Sequence, residues 1–166
     1  MNVYGGNRRK IWVISDTHLK SGQNLPDSFV NRVGREDIII HLGDFINLDI
    51  VDSLERLAAL EAVSGNCDPQ EVQDIFPSRK IIEIDGIRVA MTHGSGAPSG
   101  TVAKVRREFE GKADVALFGH THVPCHFKAA GTLFFNPGSL TQGRGNGRGF
   151  GLLRIDDDLW IESFEI

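Results

Sequence analysis

Six short apolar runs in this chain each end in residues of the kind that bind metal ions or shape tight turns. The endings are Ser15-Asp16-Thr17-His18, Gly43-Asp44, Gly65-Asn66, Thr92-His93-Gly94, Gly119-His120-Thr121-His122 and Asn136-Pro137-Gly138-Ser139. Runs such as Lys10 to Ser15 (KIWVIS), Asp37 to Leu42 (DIIIHL) and Asp114 to Phe118 (DVALF) read as strands buried on both faces. A chain that leaves one buried strand after another at a polar terminus has few folds open to it. The strand ends must gather at one rim of a sheet, and that rim is where the chemistry is expected.

The remaining pattern says what surrounds those strands. Leu25 to Val33, with Pro26 near its start, is predicted as a helix. Leu48 to Leu60 carries Ile50 and leucines at helical spacing, and Glu61 to Ser64 follows as a brief strand. Asp85-Gly86 between Arg79–Ile84 and Ile87–Thr92 signals a β-hairpin. Thr101 to Phe109 is a basic helix with Gly111 after it. Cys125–Ala129, Thr132–Phe135, Gly149–Ile155 and Leu159–Ile166 read as further strands, with a solvated turn over Asp156 to Asp158. The order begins as strand–helix alternation and ends mostly as strands. It predicts two packed sheets with helices outside, not a doubly wound parallel sheet. Ser21–Asp27, Pro69–Phe76 and Gly94–Gly100 read as loops walling the rim.

The 166 residues suit one domain, and a core can form at this length without disulfides. Residues 1–9 read as a frayed leader and 10–166 as a single domain. Cys67 and Cys125 are too few for a disulfide framework, which fits a reducing compartment. There is no apolar run long enough to span a bilayer and no signal-peptide core, so a cytoplasmic protein without membrane partners is expected. Eighteen basic against 22 acidic residues give a formal charge of −4. That balance argues against a general polyanion binder, and without a basic groove nucleic acid is not the expected partner.

Residues two apart in a strand face the same way, so Asp16 and His18 can reach one ion together. His120 and His122 can do the same or divide between two ions. With Asp44, Asn66 and His93 the set holds two carboxylates, one amide and four imidazoles. This exceeds the needs of one tetrahedral zinc and suits two ions sharing a carboxylate. Nitrogen and oxygen ligands without thiolate suit Mn, Fe, Zn, Co or Ni. Two such ions recur in phosphate-ester hydrolysis. Two dications, two carboxylates and one hydroxide leave a single net positive charge, which attracts a phosphodiester monoanion.

Asp-x-His, Gly-Asp, Gly-Asn, Thr-His-Gly and Gly-His-Thr-His, in this order, resemble the calcineurin-like metallophosphoesterase superfamily. Gly-Asn-Cys-Asp and Phe-Asn-Pro-Gly-Ser look like its small single-domain prokaryotic phosphodiesterases. The resemblance runs from about Lys10 onward. It implies a four-layer αββα sandwich, two mixed sheets flanked by helices, with a dinuclear and usually manganese-dependent site. It assigns Asp16, His18 and His122 to one metal, Asn66, His93 and His120 to the other, and Asp44 as the bridge. It implies hydrolysis of a small phosphate ester by in-line attack of a bridging hydroxide, with Asp44, Asn66 and His120 central to catalysis, and it is compatible with a homo-oligomer.

One position departs from the larger members, where Gly-Asn is followed by a His that assists the leaving group. Here it is Cys67, followed by Asp68. Leaving-group assistance would fall to Cys67, a weak donor, with Asp68 or metal-bound water as partial substitutes, and Arg144 in the Gly-rich loop is a candidate substrate contact. Two rival readings use the same fold. One is a phosphomonoesterase or nucleotide phosphatase, which would want extra cations beyond Arg144 and Arg148. The other is a protein-binding scaffold with a vestigial site, as in the retromer subunit of this fold. All seven ligand positions here hold coordinating residues, which favours catalysis.

Overall fold

The computed structural model describes residues 3–4 (backbone only), 9–156 and 158–166. Of the leader expected over residues 1–9, Val3–Tyr4 (β1) pairs in parallel with Arg79–Ile84 (β5). Residues 1–2 and 5–8 of that leader, and residue 157 of the expected Asp156–Asp158 turn, lie outside the described residues.

Two mixed sheets face each other. One has the order β11-β10-β2-β3-β4, built from Ile11–Ile14 (β2), Ile38–His41 (β3), Ala59–Ala62 (β4), Gly149–Ile155 (β10) and Leu159–Glu165 (β11). The other has the order β1-β5-β6-β7-β9-β8, with Ile87–Thr92 (β6), Val115–Phe118 (β7), Cys125–Ala129 (β8) and Thr132–Asn136 (β9). Alternation along β2 explains the layering. Ile11 and Val13 point into the core between the sheets, with Val89, Met91, Leu117 and Phe135 opposite. Trp12 and Ile14 point outward to the helices Asp27–Val30 (α1), Leu48–Leu57 (α2) and Gln70–Ile75 (α3). On the other side Val105 and Phe109 of Pro98–Phe109 (α4) pack on Ala116 and Phe118. The result is the four-layer αββα sandwich.

Within each sheet three strands run parallel: β2, β3 and β4 in one, and β6, β7 and β9 in the other. All six apolar runs therefore end at the same rim. Ligand sites of α/β sheets form outside the carboxyl ends of parallel strands, and here two sheets contribute.

Several element bounds differ from the sequence reading, each for a tertiary reason. The helix expected over Leu25–Val33 is one turn, because Asp37 accepts hydrogen bonds from the N–H groups of Gly34 (2.8 Å) and Lys10 (3.2 Å) and bends the chain there. The third strand is Ala59–Ala62 and not Glu61–Ser64: pairing of Ala59 with Ile38 overrides the helical propensity of this Ala/Leu/Glu segment. The expected wall loop Pro69–Phe76 holds α3, whose Val72 is buried. The helix expected from Thr101 starts earlier, at Pro98, a residue favoured at a first helical position.

No helix among the described residues is long and apolar enough to cross a membrane. Asp37 also accepts from the Trp12 indole N–H at 2.9 Å in the buried layer. Asp37→Ala should lower unfolding free energy by about 2 kcal/mol, since a buried indole donor loses its acceptor. Chemical denaturation checks this.

Candidate metal centre

The rim is built from strained backbone. Asp16, His18, Asp44, His120 and His122 have φ of 51°, 43°, 61°, 68° and 57°, in the left-handed region that side chains avoid. Among the described residues nine non-glycine positions have such angles, and these five belong to one site. Strain of this kind persists only where surrounding contacts fix it.

Those contacts are present. The Asp16 N–H donates to Gly43 O (3.0 Å) and the His18 N–H to Asp44 O (3.1 Å), tying the first two strand ends together. Ser139 Oγ donates to Asp16 O (2.7 Å), and Asn136 Nδ2 donates to Gly119 O (2.9 Å). The Asn-Pro-Gly-Ser segment thus supports the rim from behind. Gly65 and Gly119 allow close approach: a Cβ would lie 2.1 Å from Asp44 Oδ1 at the first and 2.0 Å from Ser15 Oγ at the second.

Below the rim His41 is fully buried and stacked on Phe45 at 3.6 Å. Its Nδ1 accepts from the Gly43 N–H (3.1 Å), so its proton sits on Nε2, 3.1 Å from Thr17 Oγ1. Thr17 Oγ1 then donates to Asp44 O (3.3 Å). Burial lowers the His41 pKa to about 3, which keeps the ring neutral for this role.

The tautomers of three site histidines are set by backbone carbonyls. Leu42 O lies 2.7 Å from His93 Nδ1, Gln142 O 2.8 Å from His122 Nδ1, and Gly96 O 2.7 Å from His120 Nε2. A carbonyl can only accept, so each of these nitrogens carries a proton, which in the neutral ring leaves the lone pair to the other nitrogen. The opposite nitrogen of each ring presents a lone pair. His122 Nε2 lies 3.2 Å from Asp16 Oδ1 and 3.3 Å from His18 Nε2. His93 Nε2 and His120 Nδ1 lie 3.1 and 3.0 Å from Asn66 Oδ1. Asp44 Oδ2 sits between the groups, 3.3 Å from His18 Nε2 and 3.4 Å from His93 Nε2.

Acceptors thus face acceptors. Asp16 Oδ1 is buried without any hydrogen-bond donor, whereas its Oδ2 takes Ser15 Oγ (2.6 Å) and the His120 N–H (3.1 Å). Repulsion among converging lone pairs is relieved by a cation, and backbone acceptors on the outer nitrogens are how metal-binding imidazoles are oriented. Asp16, His18 and His122 form one such group; Asp16, Asp44 and His93 form another. The residues present fit divalent metal ions.

Electrostatics point the same way. Burial works to raise the pKa of Asp16, yet His122, His18 and His93 hold the carboxyl well below its usual range. For Asp44, burial is likewise outweighed, by His93 and by the Cys67 N–H. Burial works to lower His93 and His122, but Asp44 raises the first and Asp16 the second. The pocket draws positive charge.

All seven predicted ligand residues meet here, and two other candidates are placed differently from one another. Cys67 is exposed at the rim, its Sγ 3.4 Å from Asn66 Nδ2. Partial burial and the charge of Asp44 push its thiol up to about 11, so it is protonated at neutral pH. Asp68, a candidate for leaving-group assistance, is buried beneath the turn. Its oxygens accept from the N–H groups of Asp44, Gly65 and Ile46. They are occupied in holding the backbone, which corrects the expectation that Asp68 reaches a substrate. Arg144 is exposed in the Gly-rich loop, near enough for its charge to act on His122. His41 is the buried core histidine that its place within an apolar strand predicts, whereas the supporting roles of Ser15 and Thr17 escaped the sequence reading.

Residues 10–158 match the model of the calcineurin-like phosphoesterase superfamily domain. The chain belongs to this superfamily. It is 35% identical over 150 residues to a probable metallophosphoesterase of Methanothermobacter thermautotrophicus, covering 89% of this chain and 87% of that one. It is 30% identical over 145 residues to a phosphodiesterase of Methanocaldococcus jannaschii, covering 78% and 82%. Among solved structures a Thermotoga maritima protein superposes with a TM-score of 0.73 at 33% identity, covering 96% of this chain and all of that one. Vps29 of Chaetomium thermophilum shares the fold, with a TM-score of 0.74 at 18% identity over 95% and 97% of the two chains.

Proposed function

We propose that this metallophosphoesterase is a phosphodiesterase using two divalent cations, most suitably manganese. The observation that carries the reading is the position of Asp44 Oδ2, nearly equidistant from an imidazole of each lone-pair group. Asp16, His18 and His122 would hold one cation, Asn66, His93 and His120 the second, with Asp44 shared. When bound, two such ions supply Lewis acidity toward a phosphoryl oxygen and lower the pKa of water. The name of the M. jannaschii relative supports a diester as substrate.

The chain's own groups divide the remaining work. The Ser15 hydroxyl and the His120 N–H hold Asp16 Oδ2, which leaves Oδ1 aimed into the site. The Asn66 amide sits with its oxygen toward His93 and His120, and its Nδ2 is a donor for a phosphoryl oxygen. Arg144, exposed in the Gly-rich loop, offers a second, bidentate donor. Leaving-group assistance falls to Cys67 alone, since Asp68 is occupied. A thiol is a weak donor, so leaving groups that need a proton should depart slowly.

A scaffold with a vestigial site is the second reading. It gives no reason for five strained backbone positions and an unpartnered buried carboxylate oxygen at one rim, and is less favoured on that ground. With manganese, the protein should hydrolyse bis(4-nitrophenyl) phosphate, and Asp44→Asn should lower kcat by about a thousandfold, the scale of one lost electrostatic stabiliser. Full activity in that variant would remove Asp44 from its shared role, and no wild-type activity with any divalent metal would favour the scaffold. Cys67→His should speed methyl 4-nitrophenyl phosphate little and alkyl diesters by about tenfold or more. Equal effects on both would take leaving-group assistance away from position 67.

A further inference from the structure

A cleft of about 500 Å³ opens beside the centre on its Asn66 side. It runs from Asn66 and Gly94 to Ser78, Arg79, Lys104 and Glu108. The volume is that of a small-molecule site, but the walls are polar, so an apolar guest gains little there. Arg79 and Glu108 neutralise each other across 2.8 Å. Lys104 makes no ion pair among the described residues. Its ammonium donates to Ser95 O at 3.1 Å and keeps two further protons for a guest.

Sequence alone places Lys104 on an exposed basic helix face with Arg106 and Arg107. The structure separates it from them. Arg106 pairs with Glu110 one turn along, whereas Lys104 reaches onto the loop that holds the site. Successive carbonyls of this loop do two jobs: Ser95 O takes Lys104, and Gly96 O takes His120 Nε2. A Cβ at Gly96 would lie 2.6 Å from Lys104 Nζ, so the glycine admits the lysine head. The same short loop therefore fixes a site imidazole on one side and an uncompensated cation on the other.

We infer that this cleft receives the part of a phosphoester that is not attacked, and that Lys104 selects substrates carrying a second anionic group on that arm. The inference rests on the hydrolase reading for its catalytic meaning, but the binding it asserts does not. The chemical class is a nucleotide-sized diester with an additional phosphate, in contrast to a diester whose other arm is neutral.

The test compares thymidine 3′,5′-bisphosphate with thymidine 5′-monophosphate as ligands of the manganese-loaded protein by titration calorimetry. It also compares the 5′-(4-nitrophenyl) esters of the same two compounds as substrates, which share one leaving group. The wild type should bind the bisphosphate about tenfold more tightly and show a similar preference in kcat/KM, the scale of one charge-assisted hydrogen bond. Lys104→Met should bring both ratios to about one, and Lys104→Arg should retain most of the preference, which a merely structural role for the side chain would not explain. Equal binding of both ligands by the wild type, or a ratio untouched in Lys104→Met, overturns the inference. A Lys104-dependent binding preference without hydrolysis of either ester would uphold the cleft assignment and contradict the hydrolase reading instead.

Discussion

One carboxylate oxygen, Asp44 Oδ2, lies between two imidazole nitrogens, 3.3 Å from His18 Nε2 and 3.4 Å from His93 Nε2, and the ring of His93 is oriented by Leu42 O so that its neutral form presents a lone pair there. In water such an arrangement would relax at once. Here it is held, because the His93 ring is anchored to the main chain at Leu42 O and the backbone of the Asp44 turn is tied to its neighbours. The carbonyls of Leu42, Gly96 and Gln142 fix the proton of one ring nitrogen in each of three histidines, and thereby decide where the other nitrogen's lone pair points. The fold creates an electrostatic demand for cations before any cation arrives. The depressed pKa values of Asp16 and Asp44 and the raised ones of His93 and His122 express the same demand in protons.

Holding this arrangement costs backbone energy. Five residues in left-handed conformations, each worth on the order of 1 kcal/mol or more of strain, must be stabilised from elsewhere. The sandwich supplies that stabilisation through its buried layers and through a small group of polar residues below the rim. His41 and Thr17 brace the Asp44 turn, Asp68 gathers three backbone donors, and Ser139 with Asn136 locks the Asp16 and Gly119 strand ends. None of these needs to touch a substrate. Their effect is to hold side chains from two different sheets to within hydrogen-bond distances of one another.

The rim was legible in the sequence because polar residues that end buried strands stand out against the near-continuous apolar runs before them. Parallel pairing then sends every such ending to the same side. What the sequence hid depended on tertiary contacts. Asp68 looks like a rim residue from its neighbours Asn66 and Cys67, yet it turns beneath them, since Gly65, Asp44 and Ile46 need acceptors for their N–H groups. Lys104 looks like one charge on a solvated helix, yet the Ser95 carbonyl draws it to a cleft. The helix α3 escaped because six residues after a proline carry too little periodicity to distinguish them from a loop. The ends of β4 were misplaced because pairing with β3, and not local propensity, sets them.

The central claim is that the two lone-pair groups are two cation sites sharing Asp44. A crystal structure of the manganese-soaked protein, with anomalous scattering collected at the manganese edge, tests it most directly. The expected result is two anomalous peaks about 3.5–4 Å apart, one beside Asp16, His18 and His122, the other beside Asn66, His93 and His120, with Asp44 touching both. A single peak at full manganese saturation, or two peaks with Asp44 bound to only one, would contradict it.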